Sequence, residues 1–142
     1  MDFGVNVWAL LLAVVVNMVI GFLWYSPYLL GKPWMKERGI TPEASKAMQK
    51  EAGKAYALSA VFAALMGYTL YHVMVFSMSF YHYSPVQTGL TTGFFMWFGF
   101  VMPVQATGTL FSDKKNWKLF SIDTGYQLVA LLAMGVAIGL VS

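Results

Sequence analysis

The chain has 142 residues, of which 58% are hydrophobic and 11% charged, with a net charge of +3 and no cysteine. Soluble domains carry about 25% charged residues, so this composition, with a mean hydropathy of +0.62, excludes a water-soluble single domain and a disordered chain. The missing cysteines remove disulfides, thiolate metal sites and thiol nucleophiles, and so small a charge gives no reason to expect nucleic acid as a partner.

A membrane-spanning helix needs ~20 mostly apolar residues, and four segments qualify: about 5–30, 54–80, 86–111 and 119–141. The expected fold is all-α, a single domain (residues 1–142) forming an integral-membrane four-helix bundle. The first segment reads as a retained helix rather than a signal peptide. Asp2 is the only charge before Lys32, so a basic leader region is missing, and the segment is too long. Within it Asn6, Leu10, Ala13, Asn17, Gly21, Trp24 and Tyr28 follow a 3.5-residue rhythm, a stripe for helix packing. Pro27 should end or bend it.

The connection over 31–53 holds Lys32, Lys36, Arg38, Lys46 and Lys50, with Lys54 at its edge, and Lys114, Lys115 and Lys118 fill the third connection. Those are all nine Lys and Arg; the second connection, Tyr81-His82-Tyr83-Ser84, has none. Cytoplasmic loops retain Lys and Arg, so the expected topology is N-out/C-out in the cell inner (cytoplasmic) membrane. Trp34 and Trp117 at one interface, and Trp8 and Tyr81 at the other, agree with it. Thr41-Pro42-Glu43 marks a helix start. With only Gly53 to weaken it, that helix is expected to run on, carrying the second span out into the cytoplasm. The basic connection reads as a solvated face or as a site for anionic lipid.

In the second span Ala60, Ala64 and Gly67 share a face. In the third, Pro85 suits the start and Pro103 should kink the helix. The pairs Gly89–Gly93 and Gly135–Gly139, each four residues apart, are surfaces for close helix approach. They serve within one chain or between chains, and a homo-oligomer is the expectation. Met74, Met78 and His82, also four apart, form either a core stripe or a soft-metal set; no metal site and no cofactor is expected.

Asp123 is the one acid that enters the membrane region, one turn into the fourth span, and such acids are costly and often functional. Gln127 shares its face. Gln105 and Thr109 on the third span, Trp24, Tyr25 and Ser26 ending the first, and Tyr56 and Ser59 opening the second lie at similar depth. One reading is a polar vestibule for a small ligand, lipid or proton, lined by Trp24, Gln105, Asp123 and Gln127, with Tyr25 and Asn17 as further candidate ligand-binding residues. The other is an interfacial Asp123 paired with Lys118 or Lys115. Asn17, near mid-span, needs a partner for its amide and also reads as structural glue. No catalytic constellation appears, so an enzyme is not expected. A structural or assembly protein acting through helix packing is the alternative to a binding or transport protein.

Two stretches carry a resemblance. One is Asn6-Val7-Trp8 followed by Gly21-Phe22-Leu23-Trp24-Tyr25-Ser26-Pro27-Tyr28-Leu29-Leu30-Gly31-Lys32-Pro33-Trp34. The other is Leu110-Phe111 to Trp117 and then Asp123-Thr124-Gly125-Tyr126. Over nearly its whole length the chain resembles a family of small bacterial integral membrane proteins, domain of unknown function 1761. The resemblance implies a four-helix membrane protein and transfers no activity; Leu30 stands where Phe is expected.

Overall fold

The computed structural model describes residues 4–142; Asp2 lies outside them. Among the described residues the structure is all-α, with no strand. The first helix, α1 (Val7–Trp24), starts on Asn6, whose side chain accepts from the Trp8 and Ala9 amides. It stops earlier than the expected residue 30. Pro27 has no amide to donate and disfavours helical backbone in the residue before it. The chain turns there instead, with Leu30 N–H donating to Trp24 O (3.0 Å) and Gly31 N–H to Ser26 O (2.9 Å). A side chain at Gly31 would run into the Tyr25 and Ser26 carbonyls, so glycine is what lets this turn close.

The connection then folds as two short helices, α2 (Gly31–Arg38) and α3 (Pro42–Lys50). Gly39, in the left-handed region at φ 68°, ends α2. Thr41 caps α3, its hydroxyl accepting from the Ala44 amide. The single helix expected from Pro42 into the second span is not formed. It breaks at Glu51 (φ −105°, ψ 7°), whose amide turns back to Met48 O. None of the residues of α3 is buried, so no packing holds it collinear with α4 (Ala52–Tyr81), which follows at once.

Ser84 and Gln87 form a reciprocal capping box at the start of α5 (Pro85–Met96). A π-helical turn over Trp97–Val101 leads directly into α6 (Met102–Leu110). The sequence marks a kink at Pro103, and the π turn is its form. Proline cannot bond back to Gly99 O, and the ladder accommodates by widening, with Met102 N–H donating to Trp97 O five residues back. Finally α7 (Trp117–Val141), capped by Asn116, begins two residues before the expected boundary.

Three helices, α1, α4 and α7, are long and apolar enough to cross a membrane, which is consistent with a membrane protein. Of these α7 is the most buried. Ala9 and Ala13 of α1, Leu70 and Met74 of α4, and Met134 and Ile138 of α7 make one core. Met74 is thus a core side chain, and no group of His, Asp and Glu suited to a metal occurs among the described residues. On α4 the packed face runs through Ala63, Gly67, Leu70 and Met74, rotated from the expected Ala60–Ala64 line.

The glycine pairs meet each other inside the chain. A Cβ on Gly89 would strike the Gly135 backbone, one on Gly93 the Leu131 carbonyl, and one on Gly139 the Pro85 carbonyl. These stripes therefore join α5 to α7 and are not free for a second copy. The two basic connections lie at one end: Asn116 Nδ2 donates to Glu37 Oε2 (2.9 Å) and Lys118 pairs with Glu37 Oε1 (3.4 Å). At the other end Asn6 Nδ2 approaches Val141 O (3.4 Å), beside the Gly139–Pro85 contact.

Candidate functional site

The turn after α1 and the first two turns of α7 meet through side chains that each need a polar partner. Indole N–H and phenol O–H groups seek acceptors when they are taken out of water. Trp24 Nε1 donates to Ile122 O (3.0 Å). Tyr25 Oη donates to Asp123 Oδ1 (2.6 Å), and Trp34 Nε1 donates to the same oxygen (3.1 Å). The Tyr25 ring stands edge-on to both Trp34 and Tyr126, at centroid distances of 5.3 and 5.4 Å. The Arg38 guanidinium lies 5.1 Å from the centre of the Trp34 ring.

Small residues make room for the rings. A Cβ on Gly125 would come within 3.2 Å of Trp24, and one on Gly21 within 3.1 Å of the Tyr126 hydroxyl. Tyr126 Oη donates to Asn17 Oδ1 (3.0 Å), and Asn17 Nδ2 reaches Met134 Sδ (3.3 Å). Buried Asn17 thus has the interhelical partners its depth demands. Across α7, Trp97 Nε1 donates to Thr124 O (2.8 Å) and is also 3.2 Å from Thr124 Oγ1.

Asp123 takes part in no ion pair among the described residues. Lys118, which the sequence offers as its partner, binds Glu37 instead. The hydrogen bond from Asn116, reinforced by Lys118, holds the Glu37 carboxyl below its ordinary pKa despite some desolvation.

Two cavities divide the candidate residues. The first, about 330 Å³, is bordered by Gln105, Thr109, Ser112, Lys114, Asn116 and Asp123, with Leu119 and Phe120. Gln105 Oε1 is buried there with no hydrogen-bond partner. The second, about 440 Å³, is bordered by Asn17, Phe22, Tyr25, Gln49, Tyr56, Ser59 and Tyr126 among others. Tyr25 borders the second cavity, and its hydroxyl reaches Asp123, which borders the first.

The single vestibule expected from the sequence is therefore corrected. Gln105 and Asp123 share a cavity. Trp24 is engaged with the α7 backbone and borders neither cavity, and neither does Gln127. Tyr25 and Asn17 belong to the second cavity. Asn116 and Lys114 are additions at the first, and Trp34 reaches it only through its hydrogen bond to Asp123. Trp34 was detectable in principle, since its indole requires an acceptor and Asp123 is the only acid near the membrane region.

The side chains brought together here, Trp24, Tyr25, Trp34, Asp123, Gly125 and Tyr126, are those of the two stretches that carry the resemblance. A family model described as protein of unknown function (DUF1761) matches residues 8–139. The chain belongs to the DUF1761 family. No curated protein and no solved structure matches it. In this DUF1761 chain the two sequence stretches are two sides of one contact: a tyrosine and a tryptophan on either side of the turn at Gly31 converge on one carboxylate oxygen.

Proposed function

We propose that this protein is a four-span membrane protein that binds a small ligand bearing N–H or O–H donors in the cavity bordered by Asp123 and Gln105. The observation that carries the reading is a pair of acceptors without donors. Gln105 Oε1 is buried and unpartnered. Both bonds to Asp123 fall on Oδ1, leaving Oδ2 without one among the described residues. The buried Gln105 oxygen left unmatched costs about 1–3 kcal/mol, which a ligand donor would offset, and Asp123 on the same cavity offers a second acceptor. Thr109, Ser112 and Asn116 supply the hydroxyl and amide groups that orient polar ligands.

Guanidinium, small and rich in donors, is the suitable probe. Titrated against detergent-purified protein by calorimetry, it should bind the native chain saturably. Gln105→Leu, which removes one acceptor and keeps the volume, should weaken that binding several-fold. Equal affinity in both proteins would dismiss the cavity as a binding site.

The fourth span of this reading is the continuous helical run from Pro85 to Leu110, through the π turn. At about 1.5 Å per residue its length exceeds the roughly 30 Å of hydrocarbon. The Lys/Arg asymmetry supports both basic connections facing the cytoplasm, where Lys32 and Lys36 would meet anionic lipid headgroups. Reporter fusions after Tyr83 and after Ser142 should both report the outer side; cytoplasmic signal from either would remove a span. The assembly reading keeps one observation in its favour: Asp123 Oδ1 is fully used in tying α1 and α2 to α7.

A further inference from the structure

The second cavity has a different chemistry. Its walls include the rings of Phe22 and Tyr25 from the end of α1, Tyr56 from α4 and Tyr126 from α7. Phe22 and Tyr56 stack across the α1–α4 gap with centroids 5.4 Å apart, and Tyr25 and Tyr126 meet edge to face at 5.4 Å. Asn17 and Gln49 add neutral polar groups, and no Lys or Arg is among the lining residues. The volume, about 440 Å³, falls within the roughly 300–1,000 Å³ of small-molecule sites.

Aromatic faces carry negative potential and attract cations, most strongly where water is displaced. Two features strengthen that field. Tyr25 donates its hydroxyl to a carboxylate at 2.6 Å, which pushes electron density into its ring. The Asp123 carboxylate itself lies at the hydroxyl end of that ring. A cavity with four rings, one of them hydrogen-bonded to a carboxylate, and no cationic lining selects for a positively charged guest too large and too apolar to need many hydrogen bonds. We infer that this cavity binds an organic ammonium ion, held against the faces of Phe22, Tyr25, Tyr56 and Tyr126. Quaternary ammonium groups occur on free solutes and on phosphocholine lipid headgroups, and the cavity's chemistry suits both.

The test compares choline with 3,3-dimethylbutanol, its uncharged isostere, by calorimetric titration of the purified full-length protein in maltoside detergent. Choline should bind saturably and the isostere at least about tenfold more weakly; equal binding would make the cavity a merely apolar one and overturn the inference. Phe22 and Tyr56 are 64% and 48% exposed, so Phe22→Leu and Tyr56→Leu should leave the fold intact, as a thermal melt would verify. Together they should weaken choline binding about tenfold, whereas Tyr56→Phe, which keeps the ring, should not. Unchanged affinity in the double leucine variant would also overturn it. Neither residue borders the Asp123–Gln105 cavity, so guanidinium binding there should persist, separating failure of this site from failure of the other. Repeating the titration in nanodiscs identifies the source. Competition by phosphatidylcholine, but not by phosphatidylglycerol, assigns the site to a lipid headgroup; its absence assigns it to a free solute.

Discussion

Placing valine at Gly89 or Gly135 should destabilise the protein more than the same change at any other glycine in its long helices. At this crossing of α5 and α7 each added Cβ would overlap the backbone of the opposite glycine. Backbone has no rotamer with which to give way, so the helices must separate. Overpacking costs about 1–3 kcal/mol where side chains can adjust, and here the lower part of that range is closed. Separation also forfeits the close packing that substitutes for a hydrophobic drive between helices in lipid. The thermal midpoint in detergent should fall by many degrees. The control lies within the same helical run: a Cβ at Gly99 or Gly108 meets no atom within 4 Å, so Gly99→Val and Gly108→Val should cost little beyond helix propensity. If all four variants melt alike, the α5–α7 contact does not support the fold.

The second large effect belongs to Asp123. Asp123→Leu removes the acceptor for both Tyr25 and Trp34 and leaves two partly buried donors unmatched, at about 1–3 kcal/mol each. The turn 25–30 and α2 should loosen from α7, giving faster amide exchange at Leu30 and Gly31 and a lower melting point. Asp123→Asn keeps an oxygen for both donors and loses only the charge assistance, roughly 1 kcal/mol per bond, so its fold should survive. Guanidinium binding should nonetheless fall sharply in Asp123→Asn. A leucine variant as stable as the native protein would show that these bonds carry no structural weight.

Much of the architecture follows from local signals. The apolar runs that form α1, α4 and α7, the Thr41 and Pro85 helix starts, the Pro27 stop and the glycine spacing all act within a few residues, and each has its counterpart in the structure. Departures arise where a competing local term was small or a contact was distant. Gly53 alone suggests a weakened helix, but the break fell at Glu51, with no residue of α3 buried to hold it in line with α4. Pro103 announces a kink, yet whether it becomes a bend or a π turn depends on packing against α7, where Trp97 binds Thr124. At the site, depth along each helix put Trp24, Gln105, Asp123 and Gln127 in one group, but of these only Gln105 and Asp123 border one cavity, because azimuth was not counted. Depth can be measured by counting residues. Azimuth depends on how α1 and α6 are rotated against α7, and the Trp34–Asp123 bond that helps fix it joins residues 89 apart.

The π turn has a consequence for how this chain can vary. A helix advances about 100° per residue, and a π turn absorbs one extra residue without breaking the ladder. All side chains after Val101 are thereby turned relative to those before Trp97, which is how Gln105 and Thr109 come to border the cavity shared with Asp123 while Gly89 and Gly93 stay against Gly135 and Leu131. The relation between packing face and polar face is thus written in chain length rather than in side-chain identity. Conservative substitutions within Trp97–Val101 leave it intact, whereas loss of one residue would rotate the segment carrying Gln105 by about 100° and swing the polar wall aside. An insertion or deletion in this short segment is therefore the most economical route by which a descendant could keep the scaffold and acquire a different cavity.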